Sequence, residues 1–353
     1  MSDLKGRPLR VAVVGLGMMG RNHLRVWDGA VEGVEVVAVA DPDPTALARA
    51  TAGRHVRGYE DAERMFAEER LDLVSVVAPT SLHLPVTLAA LRSGANVLVE
   101  KPIAATREEA LEMIAAAGAA GRMLTVGHIE RFNPAIRELR RRLAANELGR
   151  IFQITATRLG PFPARIRDVG VVVDLAPHDL DVMRYLIGSE PIRLYGETER
   201  RIHTEHEDLF NGIMKFENGV VGVLDINWLT PTKKRTLTVT GERGMYVVDY
   251  ITQDLVFYAN PDAPEAWANP EAAERGMEEV ASVSEGEMTR RVIQRREPLA
   301  VELDEFARAV REGGPPPVEP RDAVIALLLA RMMVESASTG QVIAGQGLQA
   351  ALA

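Results

Sequence analysis

Three side chains in this 353-residue chain have the type and spacing for acid–base chemistry. Lys101 follows an apolar strand, Asn96 to Val99, in the segment Glu100-Lys101-Pro102. It is one of five lysines among 41 basic residues. An ammonium is a compact donor whose pKa shifts readily on burial, and a guanidinium is neither, so the rarity of lysine directs attention to this one. Asp174 and His178 lie in DLAPHDLD. An i, i+4 pair shares one helix face, with β-carbons about 5–6 Å apart. An acid one turn before a histidine fixes its tautomer and stabilises its protonated form. Asp181 is also within reach of His178. The plainer alternatives are a Lys101–Glu100 surface ion pair, an N-capping Asp174 and a neutral His178. Oxidation of a secondary alcohol needs a base for the hydroxyl proton, a donor for the developing alkoxide and a hydride acceptor. His178 suits the first role and Lys101 the second, with Asp174 orienting His178.

The hydride acceptor is suggested by Arg10 to Gly20, RVAVVGLGMMG, an apolar strand running into Gly15-x-Gly17-x-x-Gly20 with Met18 and Met19 inside it. Gly15 permits the tight turn, Gly17 lets a pyrophosphate approach the backbone, and Gly20 lets the following helix pack close. That helix offers free N–H groups and the positive end of its dipole to phosphate. A second strand, Glu35 to Ala40, ends in Asp41. A carboxylate there accepts from ribose hydroxyls and repels a 2′-phosphate, which points to NAD rather than NADP. S-adenosylmethionine enzymes share the glycine loop and the strand-end acid. A methyltransferase, however, needs no lysine–histidine arrangement.

These residues need a scaffold. Strands alternate with helices through residue 126, with helices expected over 43–52, 85–93 and 106–120, which predicts a doubly wound parallel sheet. Thr106 and Glu109 read as a capping box, and Gly94 and Gly121 as αL stops. Ligands sit outside the carboxyl ends of such strands. Those ends are the glycine loop, Pro79 to His83 and Glu100 to Pro102, so Pro79, Thr80, His83, Glu100 and Lys101 join the glycines as cofactor candidates, with Lys101 in reach of the nicotinamide end. Beyond residue 126 the pattern changes. After GHIERFNP, a helix is expected over 134–146, and its arginine-rich face reads as solvated. From Arg150, apolar runs of period two, with the turn Glu217-Asn218-Gly219, predict a largely antiparallel sheet interrupted by a helix at 174–187. Residues 260–297 read as a long loop, and Pro298–Glu312 and Arg321–Thr339 as helices. The expectation is therefore α/β: a Rossmann domain over 1–126, and over 127–353 an α+β domain on a mostly antiparallel open sheet, whose C-terminal helices can dock back on the first.

Net charge of −9 argues against nonspecific nucleic-acid binding. No apolar run is long enough for a membrane span, and the polar start does not resemble a secretory signal, so a cytoplasmic protein is expected. The absence of cysteine excludes disulfides and thiolate metal sites. His203 and His206 have a metal-pair spacing but no evident third ligand, so no metal is expected. Arg158, Arg165 and Arg167 cluster before the acid–histidine helix in an otherwise acidic chain; arginines grip a diphosphate bidentately.

Taken together, GLGMMG, PTSLH, ANVLVEKP, DLAPHDLD and LAVELDEFARAV resemble the Gfo/Idh/MocA-type NAD(P)-dependent sugar oxidoreductases over nearly the whole chain. The resemblance implies Lys101 as the catalytic lysine, Asp174 and His178 as the D-x-x-x-H helix, NAD as cofactor, and a homo-oligomer built on the open sheet. GHIERFNP and RLGPFPARIRDVGVVVDLAPHDLDVMRYL are most similar to the branch oxidising the C3 hydroxyl of UDP-N-acetylglucosamine and related UDP-amino sugars. That similarity implies a UDP-sugar substrate and substrate contacts from Arg131 and Asn133. The chain departs from the pattern in VGVVVD, where Gly170 stands alone in place of several glycines. A free-sugar or inositol dehydrogenase and a non-catalytic NAD-binding sensor are the competing readings.

Overall fold

A computed structural model describes residues 6–163, 169–203, 205–260, 286–345 and 348. Continuous apolar runs joined by helical crossovers give strands buried on both faces, the condition for a parallel sheet. The run is β1 (Leu9–Val14), α1 (Met18–Gly29), β2 (Val34–Ala40), α2 (Pro44–Thr51), β3 (Arg57–Tyr59), α3 (Ala62–Glu68), β4 (Leu73–Val76), α4 (His83–Arg92), β5 (Asn96–Glu100), α5 (Arg107–Ala120) and β6 (Leu124–Gly127). The strands order as β3-β2-β1-β4-β5-β6, all parallel. The winding reverses between β1 and β4, the switch point at which such sheets bind ligands. Local signals set the helix ends. Thr106 and Glu109 form the capping box of α5, and Gly121 closes it at φ +58°.

By contact the chain divides into two compact units. One comprises Met1–Phe132 with Arg296–Leu328, and the other Asn133–Arg295 with Leu329–Ala351. The expected boundary at 126 thus falls later. Thr125 ties the later segment to this unit: its hydroxyl donates to the carbonyl of Val318 (3.0 Å) and accepts from the Val318 amide (3.1 Å). Phe132 also packs with Val301 and Val318. The helix α8 (Pro298–Glu312) belongs to this first unit, where Leu299, Leu303 and Phe306 join Leu9, Val11, Val13 and Trp27 in one core. Trp27 meets Phe306 edge-on, and its indole N–H donates to Ser75 Oγ at 2.9 Å. Helix α9 (Pro320–Thr339) runs from Pro320–Leu328 in the first unit into the second.

The second unit begins with α6 (Pro134–Ala144), β7 (Ile151–Pro161) and α7 (Val171–Ile187). There follow β8 (Pro191–Glu199), β9 (Leu209–Phe216), β10 (Val221–Asn227), β11 (Leu229–Gly241), β12 (Gly244–Asp249), β13 (Asp254–Ala259), β14 (Met288–Arg291) and β15 (Ile343–Ala344). They form one sheet in the order β14-β13-β12-β11-β7-β10-β9-β8-β15, antiparallel except for the pair β7–β10. Alternating burial along β9 and β10 marks one face packed under helices and one left open. Two expectations change. Helix α7 starts at Val171 rather than 174. Within the expected loop 260–297, residues 261–285 lie outside the described residues, and Met288–Arg291 pairs with β13.

Candidate functional site

The glycine loop is built as its spacing requires. Gly15 sits at φ +90°, and a Cβ there would lie 2.5 Å from the Val77 carbonyl oxygen. At Gly20 a Cβ would lie 1.8 Å from the Gly15 carbonyl oxygen, so α1 can lean on the loop only without a side chain. Gly17 behaves differently: a Cβ there meets nothing within 4 Å. It is the N-cap of α1, which has no side-chain cap and no acid in its first turn. The leading N–H groups of α1 are therefore left for an anion, with open space in front of them. Met18, at the first helical position, is 54% exposed. The Asp41 carboxylate accepts from the amides of Leu16 (2.6 Å) and Asp43 (2.9 Å). It thereby fixes the loop against the end of β2, while each oxygen keeps a lone pair for a ribose hydroxyl. These features fit a dinucleotide.

Two further cofactor candidates turn out to be committed inside the protein. His83 is buried, with Nδ1 at 2.9 Å from the Pro102 carbonyl and Nε2 at 2.9 Å from that of Ala78. Burial pushes its pKa down, against the opposing pull of those carbonyls. It thus ties the segments after β4 and β5 together through its ring nitrogens. Glu100 is likewise internal. Its Oε1 lies 2.9 Å from His23 Nε2, and its Oε2 accepts from the Lys101 amide at 3.1 Å. Burial alone would raise its pKa, but the His23 hydrogen bond and charge, with Lys101, outweigh burial and hold the carboxyl below its ordinary value. Gly127 makes the room, since a Cβ there would lie 3.0 Å from this carboxylate. Lys101, half-buried, leaves the strand from this anchored point, and its peptide bond to Pro102 is cis. Pro79 and Thr80 open a short 3-10 turn at the end of β4.

In the second unit, Asp174 and His178 occupy successive turns of α7, both half-buried. Gly170 is the N-cap, so Asp174 is a first-turn residue rather than the cap. Capping comes from elsewhere. The Glu207 carbonyl accepts from the Val171 amide (2.9 Å), and its Oε1 accepts from that of Val172 (3.2 Å). A Cβ on Gly170 would lie 2.0 Å from the Glu207 carboxyl. Glu207 is in turn presented by a loop wrapped on Asp208, whose carboxylate accepts from the amides of Arg201, Ile202 and His203. His203 Nδ1 accepts from the amides of Glu205 (3.1 Å) and His206 (3.0 Å).

The substrate candidates have partners within the protein. Arg158 is buried, and its guanidinium is bidentate on Asp179 at 2.7 and 3.0 Å. The pair locks β7 to α7 one residue past His178. Asn133, 1% exposed, caps α6 by accepting from the Ala135 amide, and it donates to the Tyr250 carbonyl. Arg131, in the first unit, is buried and pairs with Asp322 at 3.0 Å. All three side chains are held within the fold by groups distant in sequence. Arg165 and Arg167 lie outside the described residues. Among the described residues no cluster of metal-ligating groups occurs, and no helix is long and apolar enough to cross a membrane.

Comparison with known proteins decides the family. The model described as an oxidoreductase family with an NAD-binding Rossmann fold matches residues 9–128, and the GFO/IDH/MocA C-terminal domain matches residues 136–247. The chain belongs to the Gfo/Idh/MocA oxidoreductases. It is an NAD-dependent enzyme of the sugar and polyol dehydrogenase kind. It is 28% identical over 93% of its length to a UDP-N-acetylglucosamine 3-dehydrogenase of Acidithiobacillus ferrooxidans, covering 98% of that protein. It is 31% identical to inositol 2-dehydrogenase 2 of Saccharopolyspora erythraea, over 62% of this chain and 66% of the other. The solved structure of the Acidithiobacillus enzyme superposes with a TM-score of 0.81 at 25% identity, covering 94% of this chain and 98% of that one.

What the sequence missed are the groups that hold the candidate residues in place: His23 behind Glu100, Asp179 behind Arg158, and Glu207 at the start of α7. Only Glu207 left a trace, in the lone Gly170 of VGVVVD, a position where extra bulk would meet its carboxyl.

Proposed function

We propose that this enzyme oxidises the C3 hydroxyl of UDP-N-acetylglucosamine to the 3-keto sugar, with NAD as acceptor. Full-length likeness carries the substrate assignment. The UDP-sugar relative matches over 93% of the chain, whereas the Saccharopolyspora inositol dehydrogenases match over 53–62%. A bound nicotinamide supplies the hydride acceptor. In this reading His178 takes the hydroxyl proton, Asp174 orients its ring and stabilises the imidazolium, and the Lys101 ammonium stabilises the alkoxide. Arg165 and Arg167 are the diphosphate candidates of this reading, with Arg158, which is paired with Asp179, beside them. The same reading includes a homo-oligomer in the cytoplasm.

The higher local identity of the inositol dehydrogenases, up to 35%, favours a second reading with the same chemistry on a free polyol. A panel of UDP-sugars, free sugars and inositols with NAD, followed by NADH absorbance and product mass, separates the two. Turnover of UDP-N-acetylglucosamine to a product two hydrogens lighter is expected. Turnover confined to inositols, with no heat of binding for UDP, would overturn the nucleotide-sugar assignment.

A further inference from the structure

Helix α8 buries Leu299, Leu303 and Phe306 against the first unit's core, and on the same face it buries an acid, Glu302, at 1% exposure. Neither Glu302 oxygen has a hydrogen-bond partner among the described residues, and neither does Nδ1 of the fully buried His23. The nearby carboxyl, Glu100, is well supplied, with His23 on one oxygen and the Lys101 amide on the other. Two buried carboxyls thus sit in opposite environments, one solvated by protein groups and one by none. An ionised carboxylate without donors is strongly disfavoured in such a place, and a second anion beside Glu100 more so. Divergent environments of this kind assign one group as the anion and the other as the acid.

We propose that Glu302 is a neutral carboxylic acid at working pH, and that its proton lets Glu100 alone carry the charge that grips His23 and the Lys101 backbone. Glu302 is then a positioning residue for Lys101, and that part rests on the role of Lys101 proposed above. Burial first, and the Glu100 charge second, push the Glu302 carboxyl well above its ordinary value. The elements packed on α8 bring other charges. Arg25 on α1 pairs with Glu297, and Arg131 in the 129–132 turn pairs with Asp322, while Glu130 lies in that turn and His128 precedes it. Glu100 is the group whose charge bears on Glu302.

The sign of the pH effect follows. Above the ordinary glutamate range the unfolded chain has lost this proton and the folded chain keeps it, so stability falls as pH rises until the folded group also ionises. The test has three readouts. With carboxyl-¹³C glutamate, the wild-type enzyme should show one protonated resonance at neutral pH, assigned by its loss in E302Q. Thermal stability followed against pH should fall less steeply toward alkaline pH in E302Q, and also in E302M, which keeps the length without any titrating group. The alkaline limb of turnover should move outward by about one pH unit or more in E302Q. An ionised resonance at neutral pH, or stability curves parallel in wild type and variants, overturns the proposal. A protonated resonance with an unmoved alkaline limb overturns the positioning role. If Lys101→Met also leaves turnover intact, the failure lies with the reading of Lys101 and not with the proton on Glu302.

Discussion

In the proposed reading the glycine loop and the α7 segment carry chemistry in two different ways. In the loop, function comes from backbone: Gly15 and Gly20 are fixed by carbonyls of their own neighbourhood, Val77 and Gly15, and Gly17 faces open space. In α7, function comes from side chains on a helix that the rest of its unit has to hold. Asp179 is gripped by Arg158 from β7, and the N-terminal amides are met by Glu207 from the loop before β9. A backbone site is written in adjacent residues. A side-chain site is written partly in residues 21 to 35 positions away.

The sharpest test of this contrast is to remove chemistry while leaving both frames intact. Lys101→Met and His178→Asn should each lower kcat by about 10²–10⁴-fold, the span of one acid–base group. His178→Asn should not weaken NAD binding in a fluorescence titration. A Lys101→Met enzyme of unchanged kcat would turn the reading toward a binding protein.

Breaking the frame of α7 should act on stability instead. Arg158→Met leaves the Asp179 carboxylate buried and unpaired, at a cost of about 3–5 kcal/mol in denaturant unfolding. Pairing it with Asp179→Leu should recover most of that loss, because no buried charge remains. If Arg158→Met instead folds with unchanged stability and loses only affinity for UDP, then Arg158 is a ligand group and the contrast fails.

This difference also explains what was legible. The parallel sheet, the capping box at Thr106, the αL stop at Gly121 and the hairpin turn at Gly219 all follow from rules that act within a few residues. So did the glycine loop and Asp41. The fates of Arg131, Asn133 and Arg158 were not legible. Each lies in a motif that reads as ligand-facing, and each is taken by a partner whose approach depends on tertiary packing: Asp322, Tyr250 and Asp179. An arginine beside a candidate site looks the same in sequence whether it meets a phosphate or a buried carboxylate. His83 and Glu100 are similar cases. The strand-end rule placed them correctly, but their side chains turn inward, to backbone carbonyls and to His23.

A smaller effect is expected at the start of α7. Glu207→Ala removes the side-chain acceptor of the Val172 amide and leaves the backbone acceptor of the Val171 amide in place. Loss of a cap costs about 1 kcal/mol. The variant should therefore unfold at slightly lower denaturant with an unchanged slope. Equal loss in Gly170→Ala, where the new Cβ displaces the same carboxyl, would confirm that the two changes act on one contact.

The finest test lies in the loop, where one residue joins both modes. Asp41 is a side chain, but it acts on backbone, through the amides of Leu16 and Asp43. Asp41→Ala removes two acceptors from the loop and the proposed ribose contact together. Hydrogen bonds to a charged group contribute about 1.5–3 kcal/mol each, part of which solvent restores at this half-exposed position. About a tenfold rise in the NAD dissociation constant is therefore expected. The carboxylate also repels a 2′-phosphate, so NADP should gain relative to NAD in the same variant. Asp41→Asn separates the two effects, because it keeps an acceptor oxygen and drops the charge. It should hold NAD affinity nearer to wild type while still narrowing the preference against NADP. If both variants weaken NAD and NADP alike, Asp41 serves only to shape the loop, and the cofactor preference has to come from another residue.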